Sequence, residues 1–467
     1  MTVPKLDTEN YRDHLSNVTN EGGRIWIYPR IIKGFFYRMR SYLSYFLIAG
    51  LLAGPFLEWD GHPVFMFNVL ARKFIIFGVP FFPQDFNIVA LGLLTFILFI
   101  VLFTAAFGRA WCGWACPQTI FMEMLFRKIE NWIEGDYLKQ KQLKLAPWTT
   151  DKIIKKTAKH SIFFLISFLI ANAFLAYLVG KIELFKLMNE GPIEHWGKLA
   201  SLTLFTIVFY LVFAKFRELV CIYVCPYGRL QSVLVDNNSL AVSYDFVRGE
   251  PRGKDHHEEV TKLSHGDCVD CKLCVHVCPT GIDIRNGVQL ECVSCTACID
   301  ACDMVMEKIS KPKGLIRYAS RNGIEKGKKL TFNVRMAAYT GILMILASFM
   351  VFLLVSRPDL EATILRAPGM LFQEQKGGFQ TNLYNFELVN KTFNDMDIEL
   401  KVKNPAAKIS MIGKDVHVPK EEILKGAFFI ELHQKNIHLN KTPLEIEVYS
   451  NGKLIETVKT AFMGKVI

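Results

Sequence analysis

The twelve cysteines of this chain fall into four spaced groups, and no thiol is left over. Two groups are adjacent: Cys268-x2-Cys271-x2-Cys274-x3-Cys278-Pro279 and Cys292-x2-Cys295-x2-Cys298-x3-Cys302. The others, Cys112-x3-Cys116-Pro117 and Cys221-x3-Cys225-Pro226, each close an apolar run. These spacings suit soft-metal ligation rather than a disulfide framework, and they require a compartment that keeps thiols reduced. A chain built this way moves electrons or binds soft metals, and it does so at a membrane.

Apolar runs at about 42–57, 86–107, 161–179, 199–214 and 336–356 give five expected spans, since about 20 apolar residues cross a bilayer. The net charge of +11 does not point to nucleic acid, because the basic residues flank the apolar runs as the positive-inside rule requires. Arg24, Arg30, Lys33, Arg38 and Arg40 precede the first run without an acid among them. The segment from Arg109 to Lys159 is also strongly basic. The N-terminus is therefore expected in the cytoplasm, the four cysteine groups on the same side, and the C-terminus across the membrane. The polar N-terminus lacks the features of a cleaved signal peptide.

The expected divisions are a basic segment over 1–41, a four-span membrane domain over 42–217 and a cytoplasmic segment over 218–334. The cysteine-rich core of that segment lies at about 260–310. The fifth span covers 335–356, and a far-side β-domain covers 357–467. The stretch from Val64 to Phe82 is apolar but carries Arg72 and Lys73 at its middle. A charge pair there is costly in a span, so an interfacial or re-entrant segment is expected. Spans one and two end in Cys-x3-Cys-Pro, as do spans three and four, which suggests a parallel internal repeat. After residue 357 there is no cysteine, and short alternating runs such as Asp397–Val402 and Leu444–Tyr449 read as strands. Asn451-Gly452 is a hairpin signal. About seven such strands make a β-sandwich.

The paired Cys-x2-Cys-x2-Cys-x3-Cys runs are a bacterial ferredoxin signature. A tight loop supplies three thiolates to a cubane and the other motif supplies the fourth. One [4Fe-4S] cluster is then assigned to Cys268, Cys271, Cys274 and Cys302, and a second to Cys292, Cys295, Cys298 and Cys278. Asp303 stands where the second proline is usual, a departure expected to alter the local turn rather than ligation. A zinc knuckle rarely has two complete runs of this spacing.

Cys112, Cys116, Cys221 and Cys225 read as catalytic or metal-binding thiols. Residues four apart lie on one helical face or on either side of a broken turn, and the following proline favours a new helix. A helix N-terminus lowers a thiol's pKa. Copper(I) and iron–sulfur species both suit such soft donors, and a cycling dithiol is the alternative. Whether the pairs form one site or two is open at this level. Arg109 and Arg217 precede the pairs as charge stabilisers or lipid-phosphate anchors. The basic loop from Arg127 to Lys159, with Trp132 and Trp148, reads as a lipid-facing collar. His256, His257 and His265 read as a solvated linker. His417, His433, His438, Met396 and Met411 have no diagnostic metal spacing.

The stretch from Gly266 to Gly287, with Cys112–Thr119 (CGWACPQT) and Cys221–Gln231 (CIYVCPYGRLQ), resembles the CcoG/FixG/RdxA family of cytochrome oxidase accessory proteins of bacterial inner membranes. The resemblance covers nearly the whole chain. It implies a polytopic α-helical membrane protein with five spans, a cytoplasmic two-cluster ferredoxin segment and a periplasmic Ig-like β-sandwich. It also implies a cupric reductase that makes Cu(I) for assembly of cbb3-type cytochrome c oxidase, with oxidase assembly factors and copper-delivery proteins as partners. Copper would then be a substrate or transient ligand, and no dinucleotide fingerprint supplies a built-in donor. An unidentified donor protein or quinol is expected. The competing readings are a quinol-linked electron carrier similar to NapH and NosR, and a docking scaffold.

Overall fold

The computed structural model describes residues 17–18, 21, 23–59, 61–69, 72–190, 196–253, 266–327, 334–369, 371–375, 377–413 and 416–465. His256, His257 and His265 lie outside them. The chain divides into two compact units, Met1–Pro55 with Leu91–Ala347, and Phe56–Ala90 with Ser348–Ile467.

The main helices are α1 (Phe35–Ala53), α2 (Phe86–Phe107), α3 (Thr150–Val179), α4 (Trp196–Leu211), α5 (Ala297–Lys308) and α6 (Val334–Val355). Four stretches among the described residues are long and apolar enough to cross a membrane: Pro83–Phe107, Thr150–Val179, Trp196–Phe216 and Met336–Val355. The first expected span begins and ends earlier than the apolar run suggested. As α1 it takes Arg38 and Arg40 into its first turns, which lowers its apolarity and sets it apart from the four. In α3, Thr149 caps the start by accepting from Lys152 N–H, and Gly180, at φ 84°, ends it, the conformation that glycine adopts without a Cβ penalty.

The membrane unit packs around aromatic rings. Phe126 stacks on Phe213 with centroids 4.8 Å apart and meets Phe163 edge-on at 4.8 Å. Beside this core the expected lipid-facing collar turns inward. Arg217 Nη2 bonds Glu130 Oε1 at 2.6 Å, Lys159 Nζ bonds Glu130 and Glu134 at 3.2 and 2.7 Å, and all four residues are buried. Trp132 and Trp148 remain exposed. Burial works to raise the Glu130 pKa, but Arg217 and Lys159 hold it down at about 2. A buried charge needs a partner of this kind, and sequence patterning alone does not reveal one.

In the cysteine-rich segment, Ala241–Tyr244 pairs antiparallel with Ile316–Ala319. Val242, Tyr244, Ile282, Ile284, Ile299, Met306 and Leu315 form its small buried core.

Among the described residues the second unit holds nine sandwich strands: β1 (Leu360–Arg366), β2 (Gln373–Gln375), β3 (Phe379–Asn390), β4 (Met396–Val402), β5 (Ala407–Met411), β6 (Val416–Val418), β7 (Ile423–His433), β8 (Lys441–Ser450) and β9 (Lys453–Met463). One sheet runs β5-β7-β3-β1 with β2 beside β3, and the other runs β6-β4-β8-β9. Tyr384, Phe428, Ile430, Ile446, Val448 and Phe462, drawn from both sheets, share one core. The Asn451-Gly452 turn closes β8–β9 with Ser450 opposite Lys453, and both turn residues have positive φ, as a type I′ hairpin requires. His417 bonds Asp397 at 2.8 Å, and His433 accepts from Lys435 N–H.

The stretch from Val64 to Phe82 is not among the candidate spans. It forms a three-stranded antiparallel sheet, Phe65–Asn68, Lys73–Ile76 and Val79–Phe81, within the sandwich's own compact unit. Arg72 occupies the connecting turn at φ 53°, and Lys73 pairs with Glu421 at 2.9 Å. The charges that made a span costly are thus placed in a turn and an ion pair. Asp85 gathers Arg357 and Lys391, each at 2.6 Å, with Asp85 and Lys391 buried and Arg357 half-buried. Asp85→Ala would strand both cations, although Lys391 keeps Glu361 at 2.6 Å. The expected loss is about 3 kcal/mol, read as earlier unfolding and faster proteolysis of the β-unit in detergent.

Candidate metal centre

The two ferredoxin-type loops share a backbone pattern. In Cys268–Cys274 the residues on either side of the middle cysteine, Asp270 and Lys272, are left-handed. In Cys292–Cys298 the equivalent Ser294 and Thr296 are left-handed as well. Non-glycine residues there are uncommon and strained. The repeated pattern curls each loop so that its thiols converge. A short helix, Leu273–His276, then carries Cys274, while α5 carries Cys298 and Cys302.

Cys268, Cys271, Cys274 and Cys302 line one small apolar cavity. Cys278, Cys292, Cys295 and Cys298 line a second, and Cys274 lies on the wall of both. These are the cross-motif sets expected from spacing. Among the described residues no three His, Cys, Asp or Glu side chains are grouped as a single metal ion requires. Thiols set around a cavity fit a multi-iron cubane, with one cysteine to each iron. Burial pushes the thiols of Cys274 and Cys302 up to about 12, and those of Cys292 and Cys295 up to about 11. Iron binding must therefore displace a proton at each. Asp303, in place of a proline, lets α5 continue to Lys308, and its carboxylate accepts from Gly314 N–H at 2.9 Å.

The membrane-edge pairs lie across broken turns. Cys112 is in a short helix (Ala110–Trp114), Cys116 is extended, and Pro117 opens the next helix. Cys221 lies in a π-type turn (Val220–Val224), Cys225 is extended, and Pro226 opens the helix Pro226–Leu234. The two pairs come together: Cys221 interacts electrostatically with Cys112, Cys116 and Cys225, and Cys112 with Cys116 and Cys225. The expected lowering of pKa by a helix N-terminus does not prevail at Cys112 and Cys221, because burial pushes both up to about 12. Cys112 Sγ donates to Gln231 Oε1 at 3.3 Å. Gln231 is fully buried and also lies against Tyr227.

The cysteine loops dock on this thiol cluster through residues that spacing does not reveal. A Cβ on Gly113 would lie 2.5 Å from the Ser294 carbonyl oxygen and 2.6 Å from that of Val293. Buried Arg40 donates to the Gly113 carbonyl at 3.0 Å and to the Cys295 carbonyl at 2.7 Å. Trp114 Nε1 donates to Tyr318 Oη at 2.9 Å, and Tyr318 donates to the Ser294 carbonyl at 3.3 Å. Asp300, between Cys298 and Cys302, accepts from Phe36 and Tyr37 N–H at 3.1 and 2.7 Å and so caps α1. Neither Arg109 nor Arg217 is a lipid anchor. Arg109 donates to the Leu290 and Gly228 carbonyls, and Arg217 is buried against Glu130. Arg109 acts electrostatically on both Cys112 and Cys292.

Family models match in three places: a 4Fe-4S binding domain over 89–135, a 4Fe-4S dicluster domain over 216–321, and the Ig-like fold at the C-terminus of FixG over 350–465. "Nitrogen fixation protein FixG" of Rhizobium meliloti is 32% identical over 464 residues, covering 88% of this chain and 86% of that protein. "Protein RdxA" of Cereibacter sphaeroides is 36% identical over 81% of this chain and 82% of its own length. "Protein RdxB" of the same organism is 34% identical over 86% and 88%. The chain belongs to the FixG/RdxA family. This FixG/RdxA member is a membrane iron–sulfur protein, and its 4Fe-4S domains support redox activity.

Gly113→Ala tests the docking contact directly. The new methyl would meet backbone oxygens that cannot rotate away, an overpacking of about 1–3 kcal/mol. The expected result is lower iron and acid-labile sulfide per chain, with the loss concentrated in the Cys292–Cys295 loop's centre. Unchanged iron content and cluster spectra would show that the contact carries no such constraint.

Proposed function

We propose that this protein reduces Cu(II) to Cu(I) for assembly of cbb3-type cytochrome c oxidase. The supporting observation is the contact between the Cys292–Cys295 loop and the membrane-edge motif, through Gly113, Arg40 and Tyr318. In this reading Cys268, Cys271, Cys274 and Cys302 hold one [4Fe-4S] cluster, and Cys278, Cys292, Cys295 and Cys298 hold the other. Bound there, the clusters supply electrons one at a time. Cys112, Cys116, Cys221 and Cys225 take the copper substrate, and soft thiolates favour Cu(I) over Cu(II). Arg109 lies within electrostatic reach of both sets and moderates the negative charge between them. The protein sits in the bacterial inner membrane with five spans, α1 included. Its N-terminus and clusters face the cytoplasm and its Ig-like domain faces the periplasm. Oxidase assembly factors and copper-delivery proteins receive the Cu(I).

One observation favours a second reading, in which the four membrane-edge thiols hold a further iron–sulfur centre of a quinol-linked carrier. The 4Fe-4S binding-domain match over 89–135 contains Cys112 and Cys116.

Anaerobically reduced protein mixed with Cu(II) and a Cu(I)-chelating dye separates the readings. Cys225→Ala is expected to slow Cu(I) formation by about 10-fold to 100-fold, the loss typical of a weakened metal site, while iron content stays at the wild-type level. Cu(I) formation at the wild-type rate would sink the copper role. A loss of iron in Cys225→Ala would favour the further iron–sulfur centre.

A further inference from the structure

A cavity of about 620 Å³ opens beside the second cluster set, with Cys292 itself in its wall. That volume lies within the range of small-molecule sites. One wall is the loop from Asn286 to Ser294, and the other runs from Val235 to Phe246. Gly108 and Arg109, directly after the α2 span, and Arg321 also line it. Val288 and Leu290 on the loop are exposed, whereas Tyr244 and Phe246 are buried. The lining therefore combines apolar surface, amide side chains (Asn237, Asn286, Gln289), two guanidinium groups and two carboxylates, Asp236 and Glu291. The Asp236 carboxylate is engaged, accepting from Asn238 and Ser239 N–H at 2.8 and 2.9 Å.

We propose that this cavity is the electron-entry site and that its ligand is a reduced flavin nucleotide of the mononucleotide class. The proposal rests on the iron–sulfur assignment of Cys292. A cubane takes electrons singly, so a hydride donor cannot reduce it in one step, while a flavin passes its two electrons one after the other. The flat ring meets the apolar wall, Asn237 and Asn286 match its alternating donor and acceptor edge, and Arg321, whose Nε bonds Glu325 Oε1 at 3.0 Å, turns its remaining guanidinium N–H groups to the phosphate. One reduced flavin loses two electrons and two protons. Each cluster accepts one electron, the protons go to solvent, and the oxidised flavin leaves. Two Cu(II) ions are then reduced per flavin. A long-tailed quinol is disfavoured, because the lining offers polar groups where an isoprenoid chain would need an apolar groove.

The test uses full-length protein in detergent with its clusters in place. Oxidised flavin mononucleotide is titrated by fluorescence quenching, and anaerobic photoreduced flavin mononucleotide is mixed rapidly while cluster bleaching is followed. Arg321→Glu is expected to weaken flavin mononucleotide binding about tenfold, as for loss of one charge-assisted contact, and to change riboflavin binding much less. Val288→Trp, which narrows the mouth from an exposed loop position, is expected to slow bleaching by reduced flavin about tenfold. Dithionite should bleach both variants fully, and their iron content should match wild type. Missing iron in the wild-type protein would count against the cluster assignment itself. With iron present, absence of saturable quenching, or an unchanged bleaching rate in Val288→Trp, would overturn the flavin site. A short-chain quinol that bleaches as fast as flavin and is slowed equally by Val288→Trp would assign the cavity to a quinol instead.

Discussion

The close approach of Gly113 to the Ser294 and Val293 carbonyls is the contact on which the rest of the redox unit depends. Those carbonyls leave no room for a side chain at residue 113. Arg40 then joins the two backbones by donating to both the Gly113 and the Cys295 carbonyls from a buried position. A guanidinium is suited to this, because its fork of donors satisfies two acceptors at once and stays charged at any relevant pH. The opposite side is held by a carboxylate: Asp300 on α5 caps the first turn of α1, where the helix dipole favours negative charge. Two complementary devices thus fasten a small cysteine-rich module, with only a modest apolar core of its own, to the helices that carry the other four thiols.

Much of this was legible in the sequence, because ligand spacing is a local property. The cross-motif division of the eight ferredoxin cysteines follows from the reach of a short loop, and the two cavities collect the same sets. Pro117 and Pro226 opened helices where expected, since proline at a first helical position needs no N–H partner. Alternation and Asn451-Gly452 placed the hairpin of β8 and β9. The misread parts were charges near apolar runs. Arg40, Arg217 and Lys159 look like interfacial cations in one dimension, yet each is buried against a partner distant in the chain. Lys73 correctly argued against a span, but its partner Glu421, lying far along the sequence, was not visible. Gln231 had a visible signal, as the last residue of the CIYVCPYGRLQ motif, but nothing in the spacing gave it a task.

Both compact units use the same electrostatic arrangement. In the helical unit Glu130 collects Arg217 and Lys159, and in the β-unit Asp85 collects Arg357 and Lys391. Each carboxylate binds cations that follow or belong to different segments, so the chain ends of apolar helices are fixed without lengthening the apolar runs. Such pairs add little net stability compared with apolar packing. Their effect is geometric, because an unpaired member would be strongly penalised. At Arg217 the constraint is plain: the residue stands at φ 51°, four positions before Cys221, and its carbonyl accepts from Gln118 Nε2 at 3.3 Å. The Glu130 bond holds that strained turn, and the turn brings the second Cys-x3-Cys-Pro motif to the first.

The arrangement also gives a reason for two clusters. The Cys292–Cys295 loop has the proposed donor cavity at Cys292 and the Gly113 contact at Ser294, so entry and exit meet the same few residues. A chain with one centre would satisfy that path. A two-electron donor, however, must not leave with its second electron. The Cys268, Cys271, Cys274 and Cys302 set, sharing the Cys274 wall with its neighbour, provides a place for the first electron while the second is transferred. None of its cysteines lines the donor cavity, which suits a reservoir better than a relay. Its exposed Cys271 is tolerable on that view, since only the centre between donor and acceptor has to be shielded from water on both sides.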